Sequence, residues 1–206
     1  MTRKLAFVAT TGLIGSALFL ALGAALAGPN WTDKARLWGV GQSNCGSATS
    51  TSSEVTLPFA ASDSMTILLS ASIHYQPGDK AEAVISGDPA LLQHLRLEAG
   101  QVGLNCNPGW FGSRLDIKLS GPPITRWELR GSGDLTLSQI SQPKLDVTIK
   151  GSGVTAMGTV NAVHLGIFGS GEARFEDLAA QSAQVEIRGS GDARVTAQVD
   201  ADVLIV

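Results

Sequence analysis

Charged side chains flank four Gly-Ser-Gly motifs in the last third of this 206-residue chain. The positions directly after the motifs hold Asp134, Val154, Glu172 and Asp192, and the positions directly before them hold Arg130, Lys150, Phe168 and Arg188. Two carboxylates on one face could act as acid and base in glycoside hydrolysis, and carboxylates could also bind a divalent cation. A row of both charges could form an extended binding strip for a polysaccharide.

A structural role would also explain these charges. Acidic side chains accept hydrogen bonds from turn amides, and they could pair with the basic side chains across the bend. Catalysis is disfavoured because a glycosidase needs aromatic platforms beside its carboxylates. The candidates for such a platform are Phe168 and Phe175, and Phe175 is predicted to point inward. The histidines His74, His94 and His164 form no motif with a cysteine nucleophile. We expect a protein without catalytic residues, metal or cofactor.

The motifs begin at Gly131, Gly151, Gly169 and Gly189, at steps of 20, 18 and 20 residues. A phosphate-binding glycine loop would need a helix after it, whereas alternating apolar residues typical of a strand follow each motif. Glycine suits a sharp corner because it reaches positive φ and lets neighbouring backbones approach closely. The predicted repeat corners are Gly131, Gly133, Gly151, Gly153, Gly169, Gly171, Gly189 and Gly191.

Apolar residues alternate on both sides of each corner, which predicts two strands per repeat. The predicted inward residues before the corners are Thr125, Trp127 and Leu129; Leu145, Val147 and Ile149; Val163, Leu165 and Ile167; Ala183, Val185 and Ile187. Those after the corners are Leu135, Leu137, Thr155, Met157, Ala173, Phe175, Ala193 and Val195. The spacing therefore predicts an all-β fold, a single-stranded parallel β-helix (β-solenoid) with rungs of about 18–20 residues.

These repeats resemble the putative auto-transporter adhesin, head GIN domain family of bacterial exported proteins. The resemblance covers roughly residues 55–206 and is strongest in the Gly-Ser-Gly-Asp copies at Gly131–Asp134 and Gly189–Asp192. It implies a right-handed β-helix and a surface or periplasmic protein of undetermined activity, and it brings no catalytic residues with it. We divide the chain into a signal peptide (1–27), a linker (28–54) and a β-helix domain (55–206). The domain comprises an N-terminal β section (55–124) and the repeat rungs (125–206).

The N-terminus predicts export. Arg3 and Lys4 precede an apolar stretch that ends in Ala25-Leu26-Ala27, which is typical of a cleaved secretory signal peptide. The stretch is also long enough to remain as an inner-membrane anchor if it is not cleaved. Without residues 1–27, 13 basic and 18 acidic side chains remain, so we expect no nucleic-acid partner. The localisation is predicted as periplasm, outer membrane or cell surface, with 28–54 a poorly ordered linker.

The two cysteines, Cys45 and Cys106, form the only possible intrachain pair. An oxidising compartment favours a disulfide between them, with two buried thiols as the alternative. Further along, alternation from Met65 to Tyr75 predicts one long strand, and Asp88-Pro89 predicts the start of a short helix over 90–94.

Three functions remain open from the sequence. The chain could be a non-catalytic envelope or surface module, for binding, adhesion or structure, that contacts a glycan, an envelope component or a protein. It could be a carbohydrate-active β-helix enzyme. It could also be an assembly module, because a fifth corner would fall directly after Val206 and the last rung could pair with a partner strand or a second copy.

Overall fold

The computed structural model describes residues 44–48, 51–60, 62–109 and 114–206. The predicted signal peptide, and most of the predicted linker 28–54, lie outside the described residues. Within them, no helix is long and apolar enough to cross a membrane. The described elements, in chain order, are β1 (Glu54–Pro58), β2 (Ser64–Ile67), β3 (Ala71–Pro77), β4 (Glu82–Ser86), α1 (Pro89–Leu92), β5 (Leu95–Glu98), β6 (Gln101–Leu104), β7 (Leu115–Gly121), β8 (Arg126–Leu129), β9 (Asp134–Ile149), β10 (Gly153–Gly169), β11 (Glu172–Gly189) and β12 (Asp192–Ile205).

The strands stack as the rungs of a β-solenoid of about four turns, which confirms the predicted fold class. Strands β9, β10, β11 and β12 pair in parallel in that order. Each supplies one rung as a single bent strand rather than as the two separate strands predicted. β8 pairs with the C-terminal half of β9 and β3 with its N-terminal half, so the stack continues into the N-terminal section.

Alternating apolar residues form the dry interior of the stack. Because neighbouring rungs are in register, equivalent side chains form columns such as Ile67, Leu129, Ile149, Ile167 and Ile187, all at most 7% exposed. Each buried side chain of this size contributes about 1.5 to 3 kcal/mol relative to an exposed one. No single rung could cover this face, so the columns stabilise the fold only when several rungs stack.

The prediction that Thr155 and Met157 point inward is wrong. Val154 and Ala156 are buried instead, at 2% and 0% exposure, because Val154 pairs with Leu135. The strand after the first corner begins at Asp134, three residues after Gly131, whereas the strand after the second corner begins at Gly153, two residues after Gly151. Since side chains alternate with period two, this one-residue difference moves the opposite set of residues inward.

Glycine at the corners lets consecutive rungs touch through their backbones. A Cβ added at Gly131 would lie 2.0 Å from the carbonyl oxygen of Leu69, and one at Gly151 would lie 2.0 Å from that of Gly131. A Cβ at Gly189 would lie 2.5 Å from the carbonyl oxygen of Gly169, and the φ of Gly189 is +128°. Gly153 and Gly169 are exceptions: an added Cβ would lie at least 3.4 Å from any neighbour at Gly153 and more than 4 Å away at Gly169, where the φ of +119° favours glycine instead.

The N-terminal section departs from a purely parallel stack. β4 is antiparallel to both β1 and β7, and β5 forms an antiparallel hairpin with β6 through a turn at Ala99-Gly100, where both residues have positive φ. The predicted long strand from Met65 to Tyr75 is divided into β2 and β3. Its alternate residues are buried as predicted, but the chain turns a corner between the two strands so that both can join rungs.

Two local predictions in this section are confirmed. Asp88 is the N-cap of α1, with its carboxylate accepting a hydrogen bond from the amide of Ala90 at 2.9 Å. Cys45 and Cys106 form a disulfide, with their Cα atoms 5.1 Å apart. The amide of Asn44 donates to the carbonyl of Asn107 at 2.9 Å, so backbone pairing also holds this described part of the predicted linker.

The largest buried side chains lie where the N-terminal section meets the repeats. The rings of Tyr75 and Trp127 are 5.0 Å apart between centroids and tilted by 56°. The Tyr75 hydroxyl donates to the carbonyl of Pro122 at 2.8 Å, and the Trp127 Nε1 donates to that of Ile124 at 3.1 Å. Burial raises the pKa of Tyr75, so the phenol keeps its proton and remains a donor.

Gly151→Ala is expected to destabilise the protein strongly, whereas Gly153→Ala in the same corner is expected to be tolerated. The first substitution places a methyl group against a carbonyl oxygen of the neighbouring rung, and the second places it in open contact. We expect Gly151→Ala to lower the free energy of unfolding by about 1 to 3 kcal/mol or more, and Gly153→Ala to change it by under about 1 kcal/mol. Urea unfolding of both variants measures this, and equal effects would contradict the close approach of the backbones.

Removing the disulfide is expected to lower stability without changing the fold. The bond joins residues 61 apart in sequence, so Cys45→Ser with Cys106→Ser should lower the free energy of unfolding by about 2 to 4 kcal/mol. Thermal unfolding with and without reductant provides the control, because reductant should destabilise the wild-type protein and leave the double variant unchanged. A reductant-insensitive wild-type protein would contradict the stabilising role.

Candidate functional site

The four corners and the outward residues beside them form one continuous surface, which we call the corner strip. The before-corner column contains Arg130, Lys150, Phe168 and Arg188, one residue from each rung, since Leu129, Ile149 and Ile167 are in register. The after-corner column contains Asp134, Gly153, Glu172 and Asp192. Between the columns lie only the small Gly-Ser-Gly residues, so ligands could reach the backbone there.

The after-corner column differs from the predicted one at one residue. Val154 was expected to occupy it, but Val154 is 2% exposed and points into the core. Gly153 takes its place between Asp134 and Glu172. The acidic column therefore has a gap at the second rung.

This gap opens a polar depression in the strip, which we call the corner groove. It has a volume of about 430 Å³ and is bordered by Asp134 on one side and by Glu172 with Arg174 on the other. Hydroxyl groups complete the lining, from Thr136, Ser152, Thr155 and Ser170. The groove thus offers two carboxylates, one guanidinium and several hydroxyls around an exposed backbone.

Ion pairs hold the groove's charged side chains in place. Arg174 donates two hydrogen bonds to Glu172, at 3.0 Å from Nε to Oε1 and 2.6 Å from Nη2 to Oε2. Arg194 approaches the same carboxylate at 3.7 Å, and Arg114 approaches Asp134 at 3.8 Å. Exposed pairs of this kind contribute little stability, so their main effect here is to orient the side chains.

The basic residues of the strip pair along their own side of the corner. Glu128 accepts from Arg130 Nε and from Lys150 Nζ, each at 2.8 Å, and Glu186 accepts from Arg188 at 2.6 Å. The predicted pairing of these bases with the acids across the bend is therefore wrong. The corner is wide enough to keep the two columns apart, and each base meets a glutamate on its own strand or the adjacent one.

Two cations surround the carboxyl of Glu128. Its side chain is 22% exposed, and the hydrogen bonds and positive charges of Arg130 and Lys150 hold its pKa below its ordinary value. The ionised form is favoured in the folded state. Its contribution to stability is therefore present above the ordinary carboxyl pKa and disappears as the pH falls through the lower folded-state pKa.

Phe168 interrupts the before-corner column with an aromatic ring between two cations. Lys150 Nζ lies 5.9 Å and Arg188 Cζ 5.8 Å from the ring centroid. A Cβ added at Gly166 would lie 3.0 Å from Phe168 Cε2, so the absence of a side chain at Gly166 lets the ring lie against the strand. The partly exposed ring is a flat apolar surface beside the corner.

The geometry suits recognition better than hydrolysis. Asp134 and Glu172 lie two rungs apart, about 10 Å between Cα atoms at the usual strand spacing. Their side chains are 62% and 34% exposed, whereas a glycosidase acid is kept protonated by an apolar environment. Among the described residues, no group of three or more His, Cys, Asp or Glu side chains could hold a metal ion.

Sequence reasoning missed the corner groove, although the sequence contains a signal for it. The residues after the first two corners read Asp-Leu-Thr and Val-Thr, so aligning Thr136 with Thr155 shows that the second copy lacks the acidic residue. Counting from the glycines alone placed Val154 at that position. Cys45 and Cys106, the other predicted site pair, form the disulfide at the N-terminal section, away from the repeat corners.

Fold and strip together define a repetitive β-solenoid with a candidate binding surface along one corner. Residues 63–206 match the putative auto-transporter adhesin, head GIN domain family, and the chain belongs to this family. No curated protein matches the chain.

The chain is similar to several solved structures, and the first of those described below shares its fold. A crystal structure of a putative adhesin from Bacteroides fragilis is 17% identical, with a TM-score of 0.53, and the alignment covers 77% of this chain and 88% of that chain. A putative lipid binding protein from Parabacteroides distasonis is 14% identical, with a TM-score of 0.40 and coverage of 76% and 98%. A putative adhesin from Parabacteroides merdae is 13% identical, with a TM-score of 0.36 and coverage of 75% and 96%.

Glu128→Gln is expected to destabilise the protein at neutral pH and to have less effect in acid. The substitution removes the charge that Arg130 and Lys150 stabilise, at a cost of about 1 kcal/mol or less for a partly exposed cluster. The difference in the free energy of unfolding between variant and wild type should shrink below pH 4.5, the ordinary pKa of this carboxyl. It should be smallest below the lowered folded-state pKa. Urea unfolding across this pH range measures it, and a difference that grows in acid would refute the assignment.

Proposed function

We propose that this protein is an exported, non-catalytic binding module of the bacterial envelope or cell surface, and that its corner strip binds a glycan. The observation that carries the proposal is the corner groove, a polar depression at Gly153 on the same corner strip as the partly exposed ring of Phe168. Membership of the adhesin family supports a binding role.

Three features support export. The N-terminus has the basic start, apolar stretch and small-residue end of a secretory signal, finishing at Ala27. The disulfide between Cys45 and Cys106 suits an oxidising compartment. The family is described as one of auto-transporter adhesins, which act outside the cytoplasm.

The chemistry of the groove matches a polyhydroxylated ligand. Carboxylates accept hydrogen bonds from sugar hydroxyls, the Arg174 guanidinium donates them, and the hydroxyls of Thr136 and Thr155 can do either. Arg174 and Glu172 are already oriented by their mutual hydrogen bonds, so little ordering is needed when a ligand binds.

The other side of the corner supplies complementary contacts. Phe168 offers a flat apolar surface on which the CH face of a sugar ring can pack, and Lys150 and Arg188 lie close to that ring. These cations favour a glycan that carries carboxylate or sulfate groups. Because the strip repeats at every rung, it can contact several sugar units of one chain.

A carbohydrate-active enzyme is the less favoured function. Asp134 and Glu172 could flank a bound sugar, but Asp134 is exposed, Glu172 is partly exposed, and both are paired with arginines. Product release from a bound glycan would establish the enzyme and overturn the non-catalytic assignment.

Filling the corner groove is expected to abolish glycan binding while leaving the fold intact. Gly153→Asp places in the second rung the residue type that Asp134 and Asp192 provide in the first and fourth, and the backbone there tolerates a Cβ. Gly153→Ala is the matched control, because one methyl group leaves most of the groove open. Both variants are tested against a panel of neutral and acidic glycans. Gly153→Asp should weaken binding at least about tenfold, or about 1.4 kcal/mol, whereas Gly153→Ala should leave it unchanged.

Phe168→Ala tests the second half of the strip on the same panel and should weaken binding of the same glycans. The circular dichroism of each variant must match the wild type, so that lost binding is not lost folding. If Gly153→Asp and Phe168→Ala both bind every glycan as the wild type does, the corner strip is not the binding site. If the wild type binds no glycan, the ligand assignment is wrong.

A further inference from the structure

The outer edge of β12 is open among the described residues. β12 pairs with β11 on one side, and no described strand pairs with its other side. Several apolar side chains of this rung are exposed, including Val203 at 57% and Ile205 at 69%. They continue the interior columns of Val185 and Ile187, so the core of the stack is exposed at this end.

We propose that this edge pairs with the same edge of a second copy, antiparallel, with Arg194 of each chain opposite Asp202 of the other. The pairing would bring two solenoids together end to end around a two-fold axis. It covers the exposed interior of both copies and satisfies the free backbone groups of both strands.

The alternation of the strand restricts the possible registers. Ala193, Val195, Ala201 and Val203 all continue interior columns, because they pair with Ala173, Phe175, Ala183 and Val185 of β11. Opposite residues of an antiparallel pair lie on the same face. With Arg194 opposite Asp202, Ala193 faces Val203 and Val195 faces Ala201, so interior residues meet interior residues. A one-residue slip would place them against outward residues.

Charge selects one register among those that remain. Moving the partner strand by two residues in one direction brings Arg194 opposite Asp200, but then Asp192 lies opposite Asp202 and the two carboxylates repel. Moving it by two residues in the other direction places Arg194 opposite Leu204 and leaves Asp202 without a cation. The proposed register has two symmetric Arg194 to Asp202 pairs and no opposed like charges.

The bend of the rung is compatible with this symmetry. In the proposed register Gln198 lies opposite itself, on the two-fold axis. It sits where the pairing of β12 with β11 shifts, between Ala197 and Asp200, so the strand bends there. The segment of β12 before the bend in each copy therefore pairs with the segment after the bend in the other copy.

Charge reversal tests the register. Arg194→Glu and Asp202→Arg, made singly, should each weaken the dimer at least about tenfold because both pairs become repulsive. The double variant in one chain should restore it, because both pairs reappear with reversed charges. Arg174→Glu is the matched control, because Arg174 occupies the same column one rung inside the edge. Molar mass by light scattering over a concentration series measures each dimer.

Cysteine cross-linking supplies an independent measurement. Gln198→Cys should give a reducible dimer on a non-reducing gel, whereas Thr196→Cys should not, because Thr196 lies opposite Asp200 rather than opposite itself. A wild-type protein that stays monomeric at every concentration would overturn the proposal. So would single charge reversals that leave the dimer intact, a double variant that fails to restore it, or equal cross-linking of the two cysteine variants. Glycan binding is not needed for any of these results.

Discussion

The contact between the backbones of consecutive rungs at the corners constrains the rest of this structure. At Gly131 and Gly151 the added Cβ would lie 2.0 Å from a carbonyl oxygen of the preceding rung, so only glycine fits. Rungs held this close must stack in phase. In-phase stacking aligns the apolar residues into dry columns inside and the charged residues into columns outside. The core and the candidate binding surface therefore follow from the same constraint.

Because every column depends on register, a small change in one rung alters both surfaces of the solenoid. The second corner is one residue shorter on its far side, which buries Val154 and places Gly153 in the acidic column. The core stays continuous, because Val154 pairs with Leu135 of the neighbouring rung and both are buried. Outside, the missing side chain opens the corner groove between Asp134 and Glu172. A repeat protein can thus acquire an individual site without changing its scaffold.

The two ends of the stack differ in how they are finished. At the N-terminal section, antiparallel strands and the disulfide between Cys45 and Cys106 join the outer strands to the stack. At the other end, β12 leaves apolar side chains such as Val203 exposed. An open strand edge over an exposed core favours association, whereas a corner strip on the side of the stack stays accessible when the ends are covered. The proposed binding and the proposed assembly are therefore compatible in one chain.

The sequence by itself determined the rung length, the alternation that fills the core, the disulfide partners and the family. These follow from local properties: the period of side chains along a strand, the glycine spacing, and a cysteine count that allows one pair. Only the tertiary structure decided the register between rungs. The corners differ in the number of residues before the next strand begins, and counting from the glycines alone does not reveal that difference. That register buried Val154, turned the predicted long strand at Met65–Tyr75 into two rung segments, and directed Arg130 to Glu128 instead of across the bend. Pairing between residues distant in sequence fixes the burial of Val154 and the division of the long strand, and the separation of the two columns leaves Arg130 beside the glutamate two residues before it.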